Sequence, residues 1–257
     1  MARLLHYMVE APRLCSYLPA RAASLEHRIL FEVSPEENDS LLEHGWRHFG
    51  PDWFRPACEG CESCVPTRIL ASEFTPSRSQ RRALRNCSAL RAVVGRPRVD
   101  QARLDLYQAW HAERESAREW SPGALDGENY ALQFAFPGPT AREIAYYDDA
   151  AGGRLVAIGI CDETPLAWSA VYCFYDPAYG KLSPGIGNVL YLISRARAQG
   201  KPYVHLGYRV TECASLRYKA AFHPQEVLIG RPADDEAPQW ELAAPLDTRE
   251  DAGQEMP

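Results

Sequence analysis

The spacing of hydrophobic residues changes along the second half of the chain and predicts a succession of helices and strands. Between residues 100 and 120, apolar side chains such as Leu106 and Trp110 recur at helical spacing, which predicts an amphipathic helix ending before Pro122. Helical spacing returns at 188–199 and 213–222. Shorter apolar or alternating runs predict strands at 143–148, 154–161, 168–175 and 203–207.

The first 98 residues show no comparable long periodic segment. They are rich in Cys, Pro and Arg, which indicates a small irregular domain of short strands, with one helix beginning near Ser77. After residue 232, Pro, Ala, Asp and Glu dominate, a composition that predicts disorder. We therefore expect an α+β protein with a Cys-containing N-terminal domain at 1–98, a second domain at 99–232 and a disordered acidic tail at 233–257.

The charge is distributed unevenly along the chain. A net charge of −6 over 257 residues argues against a general nucleic-acid binder. The segment Phe74–Val99, however, contains seven Arg and no Asp or Glu. Such a local basic stripe on an acidic protein suits docking to one phosphate-rich partner. Alternatively, it is a solvated basic helix and loop facing acidic surfaces elsewhere.

The sequence favours a cytoplasmic protein without a membrane partner. The longest apolar run, Leu166–Tyr175, is shorter than a membrane span and contains Ser169. Near the N-terminus, His6 and Glu10 interrupt the apolar residues that a signal peptide would need. Eight cysteines without an export signal are typical of a reducing compartment.

Three closely spaced cysteines, Cys58, Cys61 and Cys64, lie on one tight turn, and Cys15 lies upstream. Four thiolates would suit tetrahedral zinc or an iron–sulfur cluster, with a structural or regulatory role. Alternatively, the four are reduced, partly buried thiols without a metal, because free Cys often behaves as a small buried hydrophobic residue.

Six short sequence blocks follow one another in order along the chain. They are Arg55-Pro56 to Cys64-Val65-Pro66, Phe74-Thr75-Pro76-Ser77-Arg78, Trp168-Ser169-Ala170-Val171-Tyr172, Phe174-Tyr175-Asp176-Pro177, His205-Leu206-Gly207-Tyr208 and Arg217-Tyr218-Lys219. In this order they resemble the aminoacyl-tRNA–protein transferases, the family that includes the arginyltransferases and the bacterial aspartate/glutamate leucyltransferases. The resemblance covers nearly the whole chain before its tail.

The resemblance implies an enzyme that moves an amino acid from charged tRNA onto a protein N-terminus and thereby marks that protein for degradation. The compact length and the Cys58–Pro66 block favour leucine as the amino acid and Asp or Glu as the acceptor. The Tyr175-Asp176-Pro177 block keeps an arginyl donor open. Two other classes also stay open, an acyl-CoA-dependent N-acetyltransferase with an appended metal module and a non-catalytic, metal-stabilised RNA-binding protein.

The order of predicted elements suits an N-acetyltransferase-like (GNAT) second domain, which the resemblance also implies. An aminoacyl ester is already activated, so the reaction requires positioning of the amine, removal of one proton and stabilisation of an oxyanion, and no cofactor. Asp176 is the candidate for orienting or deprotonating the amine. The candidate hydrogen-bond donors to oxygen are Tyr172, Tyr208 and Tyr218. Alternatively, Asp176 caps a turn and the tyrosines belong to the core.

Two groups of residues are candidates for substrate binding. Gly185 and Gly187 precede a predicted helix, whose N–H groups would bind phosphate oxygens, with Lys219 as a further phosphate ligand. Recognition of an acidic acceptor requires a cation, and Arg matches the geometry of a carboxylate. The candidates are Arg68, Arg78, Arg81 and Arg82. Alternatively, the glycines form a plain turn and the arginines a solvated or tRNA-facing surface.

Overall fold

The computed structural model describes residues 2–118 and 126–244, apart from the side chains of residues 115–118. The α-helices in this part of the chain are α1 (Pro35–Glu43), α2 (Arg78–Cys87), α3 (Gln101–Arg118), α4 (Gly127–Phe134), α5 (Pro184–Ala198) and α6 (Ala214–Arg217). Short 3-10 helices lie at Asp149–Ala151, Pro177–Leu182 and Tyr218–Ala221. The strands are β1 (Arg3–Val9), β2 (Arg13–Leu14), β3 (Ala22–Ala23), β4 (Leu25–Phe31), β5 (Arg47–Phe49), β6 (Asp52–Pro56), β7 (Val65–Leu70), β8 (Leu90–Gly95), β9 (Ala141–Asp148), β10 (Arg154–Glu163), β11 (Ala167–Tyr175), β12 (Tyr203–Arg209), β13 (Gln225–Leu228) and β14 (Trp240–Leu242).

One large mixed sheet organises most of these elements. Its eight strands lie in the order β14-β13-β7-β12-β11-β10-β9-β8, and β11 with β12 is the parallel pair. A smaller sheet has the order β1-β4-β6-β5, and β2 pairs with β3. Separate helices and largely antiparallel sheets confirm the α+β prediction. Within the described residues, none of the helices combines the length and hydropathy needed to span a bilayer.

Helices cover both faces of the large sheet. On one face, α2 and α5 pack over a core that includes Trp168, Leu192 and Phe222. On the other, α3 and α4 enclose a second core that includes Tyr130 and Phe174. All five side chains are almost fully buried, so each face carries a tightly packed hydrophobic layer.

Helix α5 lies especially close to the sheet. A Cβ added at Gly159 of β10 would come within 2.1 Å of the Asn188 side-chain oxygen, so only glycine leaves room for Asn188. The same oxygen accepts a hydrogen bond from the Tyr146 hydroxyl at 2.9 Å. This contact fixes the position of α5 relative to β9 and β10, and therefore relative to β11.

Strand β7 belongs to the first predicted domain, 1–98, but pairs with strands of the second. It lies between β12 and β13 in the large sheet, and β8 forms the far edge of the same sheet. Hydrogen bonds of the large sheet therefore join residues 1–98 to residues 99–232. The division into two domains stays a prediction.

Most predicted elements of the second half are confirmed, with one shift and one error. The helix predicted at 188–199 begins at Pro184, so the predicted glycine-containing loop is its first turn. Part of the predicted disordered tail is ordered, because Trp240–Leu242 forms β14 and pairs with β13. That prediction is wrong for these three residues. The helix end expected before Pro122 and the tail from residue 245 lie outside the described residues.

Candidate active site between two diverging strands

The parallel strands β11 and β12 separate after three residue pairs. Their pairing extends from Ala167 with Tyr203 to Ser169 with His205, whereas β10 and β7 follow their outer edges much further. The opening beyond Ser169 and His205 is called the strand gap below. Because α5 follows β11 closely in the chain, its N-terminus lies at this diverging end. Ligands of open sheets bind outside the carboxyl ends of parallel strands, so the strand gap is the candidate site.

The side chain of Arg47, the first residue of β5, enters the strand gap. Its Nη1 donates a hydrogen bond to the Ser169 hydroxyl at 2.9 Å, and its Nη2 donates to the carbonyl oxygen of Ala170. On the opposite side, a Cβ added at Gly207 would lie 3.1 Å from Arg47 Nε. Gly207 has a φ of +74°, so glycine serves both the left-handed backbone and the close approach of the guanidinium.

Arg47 is a buried cation that no carboxylate of the described residues contacts as an ion pair. Only 9% of its surface is exposed, and burial lowers its pKa while Tyr208 and Asp162 raise it. The Asp162 carboxylate instead accepts hydrogen bonds from His48 at 2.8 Å and from the Thr140 hydroxyl at 3.1 Å. Buried charges are normally paired, so Arg47 gives the strand gap a positive charge that lacks an ion-pair partner among the described residues.

Two further basic side chains surround Arg47. Lys219 Nζ donates a hydrogen bond to the carbonyl oxygen of Tyr208 at 2.9 Å. Burial lowers the pKa of Lys219 to about 7, and the neighbouring Arg47 contributes to this shift. Burial also lowers the pKa of His205 well below its ordinary value, with contributions from Arg47 and Arg68. Both shifts indicate a region that would favour an entering anion.

Tyr218 is the predicted catalytic tyrosine whose hydroxyl makes no hydrogen bond to any residue that the structure describes. It begins the 3-10 helix that contains Lys219 and packs against the same core as α5. Burial raises the pKa of Tyr218 to about 12, and Cys173 of β11 contributes. The hydroxyl therefore stays protonated at neutral pH and is available as a donor.

The other two predicted catalytic tyrosines have hydroxyls that are already engaged. Tyr208 donates to the carbonyl oxygens of Gly45 at 2.9 Å and Phe54 at 3.1 Å, which joins β12 to the segments around β5 and β6. The Tyr172 hydroxyl lies 3.1 Å from His111 Nε2 and its ring packs in the core beneath α3 and α4. These contacts give both residues structural roles, and their catalytic roles stay predictions.

Asp176 lies at the carboxyl end of β11 and caps the following 3-10 helix. Its carboxylate accepts a hydrogen bond from the backbone N–H of Ala178 at 2.9 Å and pairs with Arg154. The alternative that Asp176 caps a turn is thus confirmed. Its predicted role with the amine would require it to leave these partners.

Arg68 is the most engaged of the arginines predicted to bind an acceptor carboxylate. It forms ion pairs with Glu43 and with Glu226, the latter at 2.7 Å. Its guanidinium lies 3.7 Å from the ring centre of Tyr203 and 4.3 Å from that of Trp240. Two carboxylates and two rings already surround this cation, which gives it a structural role joining β7, α1 and β13.

The two glycines predicted to bind phosphate both lie in the first turn of α5. A Cβ added at Gly185 would meet no heavy atom within 4 Å, and no acidic residue occurs in this turn. Ser183, the N-cap residue, makes no capping hydrogen bond with its side chain. The helix N-terminus is thus open for phosphate oxygens near Gly185. At Gly187, by contrast, an added Cβ would lie 2.7 Å from Cys87 Sγ, so this glycine serves packing against α2.

Helix α2 carries four of the seven arginines of the predicted basic stripe and contacts both α5 and the 3-10 helix that begins at Tyr218. A capping box formed by Ser77 and Gln80 fixes its start. Gln80 also donates to the carbonyl oxygen of Ala221 at 3.0 Å, and Cys87 donates to that of Leu182 at 3.3 Å. The helix therefore runs from the 3-10 helix of Tyr218 to the start of α5. Its exposed arginines are Arg78, Arg81, Arg82 and Arg85.

The four cysteines predicted to bind a metal lie in one region as free thiols. Burial raises the pKa of Cys64 to about 12, and Cys15, Cys58 and Cys61 all contribute. Cys61 instead accepts a hydrogen bond from Arg21 at 3.3 Å. Across the described residues, no group of three or more His, Cys, Asp or Glu side chains is arranged to hold a metal ion. The thiols do not form a ready metal site, and zinc or an iron–sulfur cluster stays a prediction.

A cavity of about 320 Å³ lies next to Cys64 and is lined by the start of β7 and the end of β13. Arg55, Arg209 and Arg231 line it together with Glu62. Arg231 donates to the carbonyl oxygens of Cys58 and Cys61, and Arg55 pairs with Glu26. Arg209 also donates to the Gln225 side-chain oxygen at 3.2 Å, so all three cations are bonded to the surrounding chain.

Arg47 is the residue at the candidate site that the sequence did not reveal. It stands within the run Trp46-Arg47-His48-Phe49, where a basic residue between aromatic neighbours was the single available signal. Its partners Ser169 and Ala170 are more than a hundred positions away in the chain. Arg47 belongs to the small sheet and its partners belong to the large sheet, so only folding brings them together.

Two sequence profiles match this chain. The profile of the arginine-tRNA-protein transferase N terminus matches residues 13–82, and that of the C terminus matches residues 102–229. Among solved structures, L-PGS from Bacillus licheniformis matches with a TM-score of 0.43 at 14% identity. The match covers 68% of this chain and 50% of the L-PGS chain. FemX matches with a TM-score of 0.42 at 9% identity, and the match covers 72% of this chain and 63% of the FemX chain. Likenesses at this level do not establish a shared fold.

Relatives with an assigned activity align with most of the chain. The aspartate/glutamate leucyltransferase of Pseudomonas fluorescens is 34% identical over 236 residues, which are 90% of this chain and 96% of the relative. The enzyme of the same name from Helicobacter hepaticus is 32% identical over 241 residues, which are 93% and 98% of the two chains. That from Campylobacter jejuni is 31% identical over 223 residues, or 84% and 90%. This chain therefore belongs to the family of the arginine-tRNA–protein transferases and the aspartate/glutamate leucyltransferases.

Proposed function

We propose that this protein transfers leucine from leucyl-tRNA to the N-terminal Asp or Glu of acceptor proteins and so marks them for degradation. The observation that carries the proposal is the alignment of nearly the whole chain with relatives named for this reaction. The reaction would take place in the strand gap, which is supported by the basic side chains of Arg47 and Lys219 and by the open N-terminus of α5.

The donor tRNA would approach along α2 and α5. The N–H groups at the start of α5, next to Gly185, would bind a phosphate near the 3′ end of the tRNA. The arginines of α2 would contact phosphates further along the acceptor stem, because α2 ends beside α5. The aminoacyl ester would then enter the strand gap between β11 and β12.

The reaction is an attack of the neutral α-amine on the ester carbonyl carbon. A C–N bond forms, the C–O bond to the tRNA ribose breaks, and the proton lost by the amine balances the one gained by the ribose oxygen. A peptide α-amine has a pKa of about 7.7–8.0, so part of it is neutral at cellular pH. Tyr218 would donate a hydrogen bond to the carbonyl oxygen as negative charge develops there.

The GNAT-like architecture of residues 99–232 is part of the same proposal. It is supported by the antiparallel run β9-β10-β11, the connection through α5 and the parallel strand β12 that diverges from β11. The Cys-containing domain at 1–98 would add the basic helix α2. Because both substrates belong to the translation and degradation machinery, we place the protein in the cytoplasm, with aminoacyl-tRNA and acidic N-termini as partners.

An arginyl donor is the second candidate. The name of the matching profiles, arginine-tRNA-protein transferase, favours it, and the Tyr175-Asp176-Pro177 block agrees with it. The two candidates share the acceptor chemistry and differ in the donor side chain.

Transfer of a labelled amino acid tests both candidates. The full chain would be incubated with tRNA charged with labelled leucine or arginine and with peptides that begin with Asp, Glu or Ala. We expect label from leucyl-tRNA on the Asp and Glu peptides and none on the Ala peptide. Label from arginyl-tRNA alone would establish the second candidate. Acetyl-CoA turnover without tRNA, or RNA binding without transfer, would overturn both.

A further inference from the structure

We propose that Arg47 and Lys219 together bind the side-chain carboxylate of the acceptor's N-terminal Asp or Glu. The inference rests on the proposed function and adds to it the residues that select an acidic acceptor. It moves that selection from the arginines expected from the sequence to a buried pair of cations inside the strand gap, and it gives Lys219 a carboxylate to bind in place of the phosphate expected from the sequence.

The two cations come from different elements, β5 and the 3-10 helix Tyr218–Ala221, but approach adjacent residues of β12, Gly207 and Tyr208. The Arg47 Nε lies close to Gly207, at 3.1 Å from the position of an added Cβ, and the Lys219 Nζ bonds to the carbonyl oxygen of Tyr208 at 2.9 Å. Of the five N–H groups of Arg47, the structure pairs two with the described residues Ser169 and Ala170. Three N–H groups are thus left, enough for a bidentate contact with a carboxylate.

The charges around this pair favour binding of an anion. Asp162 influences Arg47, but its carboxylate is bonded to His48 and Thr140. The contacts to Ser169 and Ala170 explain where the guanidinium lies, but they do not compensate its charge or that of the neighbouring Lys219. A bound carboxylate would remove this imbalance, because an opposite charge stabilises the charged forms of both side chains.

Burial also explains why this pair would discriminate better than the other arginines. Arg78, Arg81 and Arg82 are exposed, and water and salt weaken the attraction between charges at such positions. Arg68 is buried but is paired with two carboxylates. Arg47 is buried and has none among the residues that the structure describes, so an acidic side chain would gain most there.

The location also fits the chemistry at the acceptor. The carboxylate of an N-terminal Asp or Glu is one or two carbons away from the carbon that bears the attacking amine. Lys219 directly follows Tyr218, the proposed donor to the ester oxygen. A carboxylate held by Lys219 and Arg47 would therefore bring the amine close to the ester.

Matched peptides and variants of the full chain test the pair. Peptides that begin with Asp, Asn, Glu or Gln and are otherwise identical would be compared as acceptors of labelled leucine. The unmodified protein should prefer each acid over its amide by about ten- to a hundredfold in kcat/KM. Lys219→Met and Arg47→Gln should abolish most of this preference by raising KM for the acidic peptides, with KM for leucyl-tRNA unchanged. Arg209→Met, a cation of the same strand outside the pair, should keep it.

Direct binding separates this inference from the proposed function. Calorimetry would measure the affinity of the free protein for the Asp and Asn peptides, and thermal unfolding would show that each variant is folded. A folded Lys219→Met protein that keeps the preference in transfer and in binding would overturn the pair and leave the function intact. Tight binding of the Asp peptide that both variants lose, without any transfer of leucine, would support the pair and overturn the function. If Arg47→Gln does not fold, the measurements on Lys219→Met alone decide whether the pair binds the carboxylate.

Discussion

A Cβ added at Gly187 would lie 2.7 Å from the Sγ of Cys87, so α5 touches α2 with no room for a methyl group. Gly187→Ala should force the helices apart and lower the free energy of unfolding by about 1–3 kcal/mol, as overpacking does. Denaturant-induced unfolding measures this. Gly185→Ala is the control in the same turn, where an added Cβ meets no atom within 4 Å. Equal losses in the two variants would contradict the packing contact.

The arginines of α2 should determine the salt dependence of tRNA binding. Arg78 and Arg82 lie one turn apart on the exposed face, so changing both to Ala should remove about two phosphate contacts and flatten the slope of log K against log salt by about 1.4–1.8. Filter binding over a range of salt concentrations gives this slope. Arg91 is the control, because it belongs to the same stripe but pairs with Asp149 at 2.8 Å. A slope that changes as much with Arg91→Ala would contradict the assignment to α2.

The Tyr218 hydroxyl should act in the chemical step. Tyr218→Phe removes that oxygen and keeps the ring in the core, so kcat should fall on the order of a hundredfold, as for the loss of one oxyanion donor. Single-turnover transfer measures the step, and the affinity for leucyl-tRNA should not change. Tyr172→Phe is the comparison, because the Tyr172 hydroxyl already contacts His111. An undiminished rate in Tyr218→Phe would eliminate the proposed donor.

Arg68 should contribute to stability and not to acceptor choice. Arg68→Met would leave Glu43 and Glu226 without their cation, and removing one partner of a buried ion pair costs about 3–5 kcal/mol. Chemical denaturation measures the loss. Arg91→Met, which breaks an exposed pair with Asp149, should change stability little. If Arg68→Met is stable and loses only the preference for acidic peptides, Arg68 is the acceptor site and Arg47 is not.

The edge strand β14 should stabilise the sheet through Trp240. The indole donates to the carbonyl oxygen of Glu43 at 3.2 Å and lies over the guanidinium of Arg68. Trp240→Ala should therefore lower the melting temperature, with a free-energy cost on the order of 2 kcal/mol. Leu242, two residues further on, is 67% exposed, and Leu242→Ala should have little effect. Comparable shifts in both melting temperatures would mean that pairing of the strand, and not Trp240, is what matters.

Features that depend on neighbours in the sequence could be predicted. The spacing of Leu106 and Trp110 predicted α3, and the Ser77–Gln80 spacing that closes the capping box lies within one helical turn. Strands β9 to β12 were likewise visible as apolar or alternating runs. Helical and strand periods are local properties, so they survive in a single sequence.

Features that depend on distant neighbours could not be predicted. Arg68 is an acceptor candidate in the sequence because Arg matches a carboxylate, and the sequence gives no sign of its partners Glu43 and Glu226 on other elements. Likewise, the sequence gives no sign that Asp176 pairs with Arg154 on another strand. Arg47 differs from Arg68 and Asp176, because it is distinguished by having no paired carboxylate among the described residues. Neither a partner nor its absence can be seen before the chain is folded.

The place of β7 between β12 and β13 has a consequence for how the protein is made. The ribosome synthesises β7 (Val65–Leu70) long before its neighbours β12 (Tyr203–Arg209) and β13 (Gln225–Leu228). Strand β7 therefore has no strand to pair with in the large sheet until the intervening chain has been made. Pairings between such distant segments form late and slowly, because the loop must close before the contacts stabilise it. We therefore expect that a nascent chain cannot modify other proteins until β12 and β13 have been synthesised.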